Sequence, residues 1–439
     1  MKKLILFFAY AVFCLCFSGC TVFETDTEAL MKPPVFTEEQ EKLNAALTEV
    51  IGEDYVLKYP KTGEINSAFL FEDLDGDGTE EAMAFYSVLD EITRINVLKK
   101  DGEDWVSVYT APGFYGEIKS ADFINLDEKG KALVLKWGQE AGIYTYKNER
   151  LETVFHASCD GIDFADVDGN GFEEILVFYG TPMGKTNLNI VYGRNGKVFF
   201  TEDLSINAQY GDIFSQKAGK ISEDESAYFI DSLVYEGVYL TEIITLENGA
   251  AKRLFVADYV ESEKEETTEE GEGVIIIVGG NYGKRGIFLR NTKAFCMDTN
   301  GDGIVEMPIE FREDYAQQAT EEIFYIQYMQ YDGTKSEPVW NGIINNESGY
   351  LFEVPESWNE KIRADFGSSS EEFIFVEKES GKVIFEIFAV SKSDYQDKYE
   401  DYIFAAEDET KNYYVKAYAE AESEFYISPE SYNERFIFI

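Results

Sequence analysis

Three short segments of the chain share a pattern of oxygen-bearing side chains that could bind a metal ion. They are Asp73–Glu81, Asp166–Glu174 and Asp298–Glu306, and each has glycine at its fourth and sixth positions. Ca²⁺ takes about six to eight oxygen ligands in a flexible shell, which positions 1, 3, 5 and 9 and the position-7 carbonyl could supply. The predicted ligands are Asp73, Asp75, Asp77, Thr79, Glu81, Asp166, Asp168, Asn170, Phe172, Glu174, Asp298, Asn300, Asp302, Ile304 and Glu306.

The spacing of these segments differs from that of an EF-hand. An EF-hand loop ends on a glutamate at position 12, where these segments have Ala84, Val177 and Ile309. Glycine at position 6 permits a sharp turn. Each segment also brings together three or four carboxylates, which repel one another unless a cation lies between them. We therefore expect about three structural Ca²⁺ sites rather than a signalling switch.

Apolar runs on both sides place each acidic loop between two strands. Residues 82–86 and 175–179 follow the first two loops, and residues 69–71, 162–164 and 294–296 precede the three loops. These short runs are typical of buried β-strands. The sequence therefore predicts a repeated strand–loop–strand unit.

This unit resembles the FG-GAP and VCBS repeats, which form blades of β-propellers. Two degenerate copies follow the same outline: Asp122–Gly130, where Lys129 replaces an acidic ligand, and Ala227–Leu233, which keeps only the leading Asp231. We expect no calcium in the first of these. The resemblance implies a mainly β fold with a β-propeller of about 5–7 blades, of which five are visible between residues 52 and 330. We expect a small α+β C-terminal domain to follow the propeller.

The N-terminus reads as a targeting signal. Lys2 and Lys3 precede an apolar run, Leu4–Phe17, which is too short to span a bilayer. The following residues, Phe17-Ser18-Gly19-Cys20, resemble the lipobox of bacterial lipoproteins. That resemblance implies a lipid on Cys20 and a protein anchored on the extracellular side of the cytoplasmic membrane; the alternative is a secretory signal with an incidental cysteine.

The remaining chain divides into further predicted parts. Residues 1–19 are the signal and 20–36 a tether; residues 37–52 form a helix, which starts at a capping box of Thr37 and Gln40 and stops at Gly52. The propeller is expected over 53–330 and the α+β domain over 331–439, with a short helix near Ser391–Tyr402. The acidic stretch Glu261–Gly273 is interpreted as an exposed loop.

Composition excludes several function classes. The chain has 439 residues, 84 Asp and Glu against 38 Lys and Arg, and a formal net charge of -46. Such a charge repels phosphate backbones, so nucleic acid is excluded as a partner. His156 is the single histidine, which excludes sites that need two imidazoles. Cys159 and Cys296 are either buried thiols or one long-range bridge.

These features predict a lipid-anchored, calcium-binding module that binds a glycan or protein partner without catalysis. The 29 Tyr and 34 Phe leave aromatic side chains for such contacts. The alternative is an extracellular polysaccharide-active enzyme that uses carboxylates. The acid pairs Glu80-Glu81 and Glu173-Glu174 argue against it, because neighbours on a strand point to opposite faces.

Overall fold

The computed structural model describes residues 36–254, 288–311, 323–331 and 336–439, apart from positions 90, 91, 129, 182, 183, 236, 359, 360, 370 and 394–400. The predicted signal, Cys20, nearly all of the tether, the stretch Glu261–Gly273 and Lys129 lie outside the described residues. Among the described residues, none of the helices has the length and apolar character that a membrane span requires.

The described residues are mainly β-strands, which pair antiparallel in six sheets. Sheet 1 comprises β1 (Val56–Lys58), β2 (Phe69–Glu72), β3 (Glu81–Ser87), β4 (Ile92–Asp101) and β5 (Asp104–Tyr115). Sheet 2 comprises β6 (Ile118–Asn125), β7 (Lys131–Trp137), β8 (Glu140–Lys147) and β9 (Arg150–Ser158). Sheet 3 comprises β10 (Gly161–Ala165), β11 (Glu174–Gly180), β12 (Thr186–Arg194), β13 (Lys197–Phe200) and β14 (Leu204–Ile206).

The other three sheets contain the second half of the chain. Sheet 4 comprises β15 (Ile213–Lys220), β16 (Ser226–Tyr235), β17 (Val238–Glu247), β18 (Ala250–Arg253) and β19 (Phe288–Arg290). Sheet 5 comprises β20 (Met307–Phe311), β21 (Ile323–Tyr331), β22 (Ser336–Asn345), β23 (Tyr350–Glu353) and β29 (Phe436–Phe438). Sheet 6 comprises β24 (Ile362–Phe366), β25 (Glu372–Glu377), β26 (Val383–Ser391), β27 (Ile403–Glu407) and β28 (Lys411–Ala417).

The sheets are built mainly from consecutive hairpins. Sheets 2 to 4 each begin with four strands in sequence order, and in sheets 3 and 4 a fifth strand pairs with the third. The hairpin turns at Asn195-Gly196 and Asn248-Gly249 have positive φ between 53° and 83° at all four residues. That geometry matches the right-handed twist of the flanking strands.

Chain contacts separate two compact units. The first consists of residues up to 59, 67–72 and 79–115, and the second of residues 60–66, 73–78 and 116–439. In the first unit the only described α-helix, α1 (Glu38–Ile51), packs on sheet 1 through the fully buried Leu43 and Leu47. The predicted capping box is confirmed: Gln40 N donates to Thr37 Oγ1 at 3.2 Å, and Thr37 N donates to Gln40 Oε1 at 3.1 Å.

In the second unit, sheets 2 to 5 are joined by shared apolar cores. Val177 of β11 packs in a core with Val134 of sheet 2, whereas Leu176 of β11 packs in a core with Ile244 of sheet 4. A third core joins sheet 4 to sheet 5. Strand β11 is buried on both faces, which explains its continuous apolar run.

Sheets 5 and 6 share an apolar core that is rich in aromatic side chains. Phe352 of sheet 5 lies 5.6 Å from Phe375 and 5.3 Å from Phe385 of sheet 6, between ring centroids. Trp358 contacts the same two rings and is fully buried.

Three predictions about the elements need correction. Ala294–Cys296 is not a strand; only Met297 forms a bridge, with Glu306. Asp231 does not begin a loop but lies in the middle of β16, fully buried. The predicted boundary at residue 331 falls inside sheet 5, where β21 pairs with β22. The described residues from 336 onward form strands and 3₁₀ turns, while residues 394–400 of the predicted helix lie outside the described residues.

Candidate metal centres

The three acidic loops have nearly the same backbone geometry. Their glycines have φ values of 73° and 87° in the first loop, 73° and 86° in the second, and 79° and 87° in the third. Glycine adopts positive φ without the steric cost that a Cβ imposes, which explains its presence at both positions. Each loop is folded back so that its first aspartate faces its own later amides.

The leading aspartate organises each loop by accepting backbone hydrogen bonds. Gly171 N donates to Asp166 Oδ2 at 2.9 Å, and Gly303 N donates to Asp298 Oδ2 at 2.9 Å. In the first loop Asp73 Oδ2 accepts from the equivalent glycine at 3.0 Å.

Carboxylates predicted as ligands converge in all three loops. In each cluster, one potential ligand atom from each of three residues lies within 4.8 Å of the others. Each cluster combines two aspartates with the glutamate that follows the loop. The clusters are Asp73, Asp75 and Glu81; Asp166, Asp168 and Glu174; and Asp298, Asp302 and Glu306.

Burial of the glutamate distinguishes these clusters from ordinary surface acids. Glu174 is 1% exposed and accepts a hydrogen bond from Val167 N at 2.8 Å. Burial, followed by the charges of Asp168 and Asp166, raises the pKa of Glu174 to about 8 despite the hydrogen bonds from the backbone. A carboxyl group with such a pKa lacks a compensating positive charge, which a divalent cation would supply.

Glu306 shows the same feature in the third loop. Its side chain is fully buried; Oε2 accepts from Thr299 N at 2.6 Å and from Thr299 Oγ1 at 2.8 Å, whereas Oε1 is buried without a hydrogen-bond partner. Burial and the charges of Asp298 and Asp302 raise the pKa of Glu306. An unpartnered buried carboxylate oxygen beside two aspartates is suited to metal ligation.

Other predicted ligands occupy less direct positions. Asn170 Oδ1 accepts from Phe172 N at 2.8 Å, and Asn300 Oδ1 accepts from Asp302 N at 2.9 Å, so both amides brace their turns. Asp77 is not part of the first carboxylate cluster, although the equivalent Asp302 belongs to the third. Ligation by the carbonyls of Thr79, Phe172 and Ile304 remains a prediction.

Two residues outside the predicted set support the third loop. Gln330 of β21 donates from Nε2 to Asp302 Oδ2 at 2.6 Å. Thr299, at loop position 2, anchors Glu306. The sequence contains a signal for Thr299. The other two loops have the buried apolar residues Leu74 and Val167 at this position, so the polar Thr299 departs from the pattern. No local signal identifies Gln330, which lies 28 residues away along the chain.

The donor set fits a hard cation. The clusters contain only carboxylates, with amide and carbonyl oxygens beside them, and none includes histidine or cysteine. Oxygen-only donors on a flexible loop suit Ca²⁺ better than Zn²⁺, which favours nitrogen and sulfur ligands.

The two cysteines and the histidine lie outside these clusters. Cys159 and Cys296 are both free and buried. Cys296 adjoins a buried ion pair in which Arg290 Nη2 donates to Asp231 Oδ1 at 2.8 Å, so Asp231 serves packing rather than metal binding. His156 is stacked on Trp137 and lies 3.2 Å from Glu140, between Nε2 and Oε2.

Comparisons with known proteins leave the family open. No protein-family model and no curated protein sequence matches the chain. Among solved structures, the chain is similar to a protein from Lactobacillus plantarum, with 9% sequence identity over 74% of this chain and 82% of that one and a TM-score of 0.23. Function therefore has to be argued from the loops and surfaces of this chain.

Proposed function

We propose that the chain is a lipid-anchored, extracellular binding module of β-propeller type, whose fold is stabilised by Ca²⁺ and which binds a glycan or protein without catalysis. The observation that carries the calcium part is the buried glutamate among aspartates, repeated at the same position of three loops. A buried carboxylate close to other carboxylates is destabilising, so the repetition of this arrangement favours a bound cation.

The order of the sheets supports a propeller arrangement. Sheets 2 to 5 follow one another in the chain, and each shares an apolar core with the next. Four-stranded antiparallel units that pack face to face are typical of propeller blades. On this proposal sheet 6 is an addition to the last unit, because it packs on sheet 5 through a separate aromatic core.

The anchor and the compartment rest on the sequence. The basic residues, the apolar run and the Ser18-Gly19-Cys20 site support a lipoprotein signal. Extracellular calcium modules bind the ion weakly, with dissociation constants of about 10⁻⁴ to 10⁻³ M, which suits a protein outside the cell.

The enzymatic alternative has less support from the site. Glu173 is exposed whereas Glu174 is buried, and Glu80 and Glu81 differ in the same way. Neither pair presents two carboxylates to one substrate, so neither fits a two-carboxylate hydrolase.

Thermal unfolding tests the proposal. With millimolar Ca²⁺, ligand binding to the folded state should stabilise the chain by about 2 to 3 kcal/mol for each site that is saturated about 100-fold above its dissociation constant. The melting temperature should therefore rise on adding Ca²⁺ after EDTA and change little with Mg²⁺. An unchanged melting temperature with Ca²⁺ would refute the calcium part of the proposal.

A further inference from the structure

The two faces of sheet 6 have different surroundings. Phe375 and Phe385 point into the aromatic core shared with sheet 5, and Val415 of β28 belongs to the same core. Because neighbours on a strand point to opposite sides, Ile374, Glu386 and Lys416 lie on the other face. This second face, called the aromatic face below, is defined by Phe388, Tyr402, Phe404, Tyr414, Tyr418, Glu386 and Lys416.

Aromatic side chains form a contiguous set on this face. Phe404 pairs with Tyr414 across neighbouring strands, with ring centroids 5.9 Å apart, and Tyr414 pairs in turn with Phe388. Tyr402 lies 6.3 Å from Phe388. Phe404 is 53% exposed and Tyr418 46% exposed, so the set is presented to solvent. Exposed aromatic patches on a rigid sheet are typical of binding surfaces.

Polar groups fix the orientation of two of these rings. Glu386 Oε2 accepts hydrogen bonds from the hydroxyls of Tyr402 and Tyr418, each at 2.9 Å. Lys416 Nζ lies 5.3 Å from the Tyr402 ring centroid and 5.4 Å from that of Tyr418. Two rings bridged by one carboxylate and one ammonium lose little freedom on binding, which favours affinity.

The charge of the face indicates an uncharged ligand. Glu386 and Lys416 are direct partners in the strand register, so their charges balance, and Glu372, which lies opposite Phe388 in the register, adds a negative charge. The chain as a whole carries a formal net charge of -46, which repels anionic polymers, and Lys416 repels cations that would enter between the rings. A neutral sugar presents C–H groups to aromatic rings and hydroxyls to carboxylate and ammonium groups.

From these contacts we infer that the aromatic face is a docking surface for a neutral polysaccharide. The inference rests on the proposed binding function and assigns it to sheet 6 rather than to the calcium loops. Phe404 and Tyr418 provide the stacking surface, Lys416 provides hydrogen bonds to the sugar hydroxyls, and the buried Glu386 holds Tyr402 and Tyr418 in place.

Native affinity electrophoresis of the full chain in calcium buffer tests this assignment. The probes are hydroxyethylcellulose, arabinoxylan and galactomannan, with carboxymethylcellulose as the anionic contrast. At least one neutral polymer should retard the chain. The double variant Phe404→Ala/Tyr418→Ala should weaken that retardation by about tenfold or more, because two exposed stacking rings are lost. Tyr418→Phe, which keeps the ring, should weaken it by only about two- to threefold.

A matched control comes from sheet 3. Phe200 is 58% exposed on β13, so Phe200→Ala removes a comparable exposed ring at a distant position and should leave retardation unchanged. Equal retardation of the double variant and the wild type, retardation by carboxymethylcellulose alone, or no retardation by any neutral polymer would each overturn the assignment. The effect of Ca²⁺ on the melting temperature is measured in a separate experiment. A melting temperature that does not respond to Ca²⁺ would count against the proposed function and not against the aromatic face.

Discussion

Two kinds of loop lead into equivalent strands in the second unit. A long acidic loop precedes β11 in sheet 3 and β20 in sheet 5, whereas a short loop, residues 126–130 or 221–225, precedes β7 in sheet 2 and β16 in sheet 4. Both kinds have a buried apolar residue near their start, such as Val167 in the long loop of sheet 3 and Leu126 and Ile221 in the short loops. The long and the short loops therefore begin in a similar way, but they differ in how they end.

The difference lies in the first residue after the loop. In the long loops this residue is a buried glutamate: Glu174 pairs with Ala165, and Glu306 bridges to Met297. At the same register position the short loops have a lysine and a serine, Lys131 opposite Asn125 and Ser226 opposite Lys220. A buried carboxylate and a longer loop therefore occur together, as a metal site requires.

The short loops close with hydrogen bonds of the protein itself. Leu126 N donates to Gly130 O at 2.9 Å, and Ile221 N donates to Glu225 O at 2.9 Å. In sheet 2 Asp127 also accepts from Gly130 N and from Gly196 N, both at 2.6 Å. The comparison teaches that an aspartate in such a loop can be satisfied by backbone amides, whereas we propose that the buried glutamate among aspartates binds a cation.

The largest effect is expected for Glu306→Gln. In Ca²⁺ this variant should lose about 2 to 3 kcal/mol of unfolding free energy, because the third site no longer binds the ion. In EDTA it should be more stable than the wild type by about 1 kcal/mol, because a buried negative charge beside Asp298 and Asp302 is removed. Chemical denaturation under both conditions measures the effect; a variant that is less stable in both would contradict the metal role of Glu306.

Asp127→Ala should have an intermediate effect that does not depend on metal. It leaves two backbone amides, of Gly130 and Gly196, without their acceptor, at a cost of about 1 to 3 kcal/mol. The loss in denaturation experiments should be equal in Ca²⁺ and in EDTA. A loss seen only in Ca²⁺ would show that the short loop also binds the ion and would remove the distinction between the two kinds of loop.

Gln330→Leu should have the smallest effect. It removes one hydrogen bond to Asp302 and should weaken the third site by about three- to tenfold, equivalent to about 1 kcal/mol. Calcium titrations of Gln330→Leu and, in parallel, of Glu174→Gln distinguish an effect on the third site from an effect on the second site. Unchanged affinity would mean that the loop holds Asp302 in place without help from β21.

The sequence predicts the local features of the fold well. Alternation and apolar runs locate β2, β3, β10 and β11, because these strands neighbour their partners in the chain and their burial is uniform. The glycines and aspartates locate the three acidic loops, because positive φ and convergent carboxylates have a residue signature. Burial of Glu174 and Glu306 has no such signature, since it depends on the packing of neighbouring sheets.

Long-range pairing explains the wrong predictions. Asp231 was expected to begin a loop, but its partner Arg290 is 59 residues away and holds it in a buried network. The real turn before β16 is Ile221–Glu225, which lacks glycine and could be found only from its apolar first residue. The boundary predicted at residue 331 separates β21 from β22, which pair in sheet 5, and local patterns do not show that these two strands belong to one sheet.

The central claim is that the three acidic loops, and no others, hold calcium through their buried glutamates. Isothermal titration calorimetry of the chelated chain tests it most directly. The wild type should bind three Ca²⁺ ions per chain, Glu174→Gln/Glu306→Gln should bind one, and Asp127→Ala should still bind three. A wild type that binds no Ca²⁺, or a double variant with the same stoichiometry as the wild type, would contradict the account.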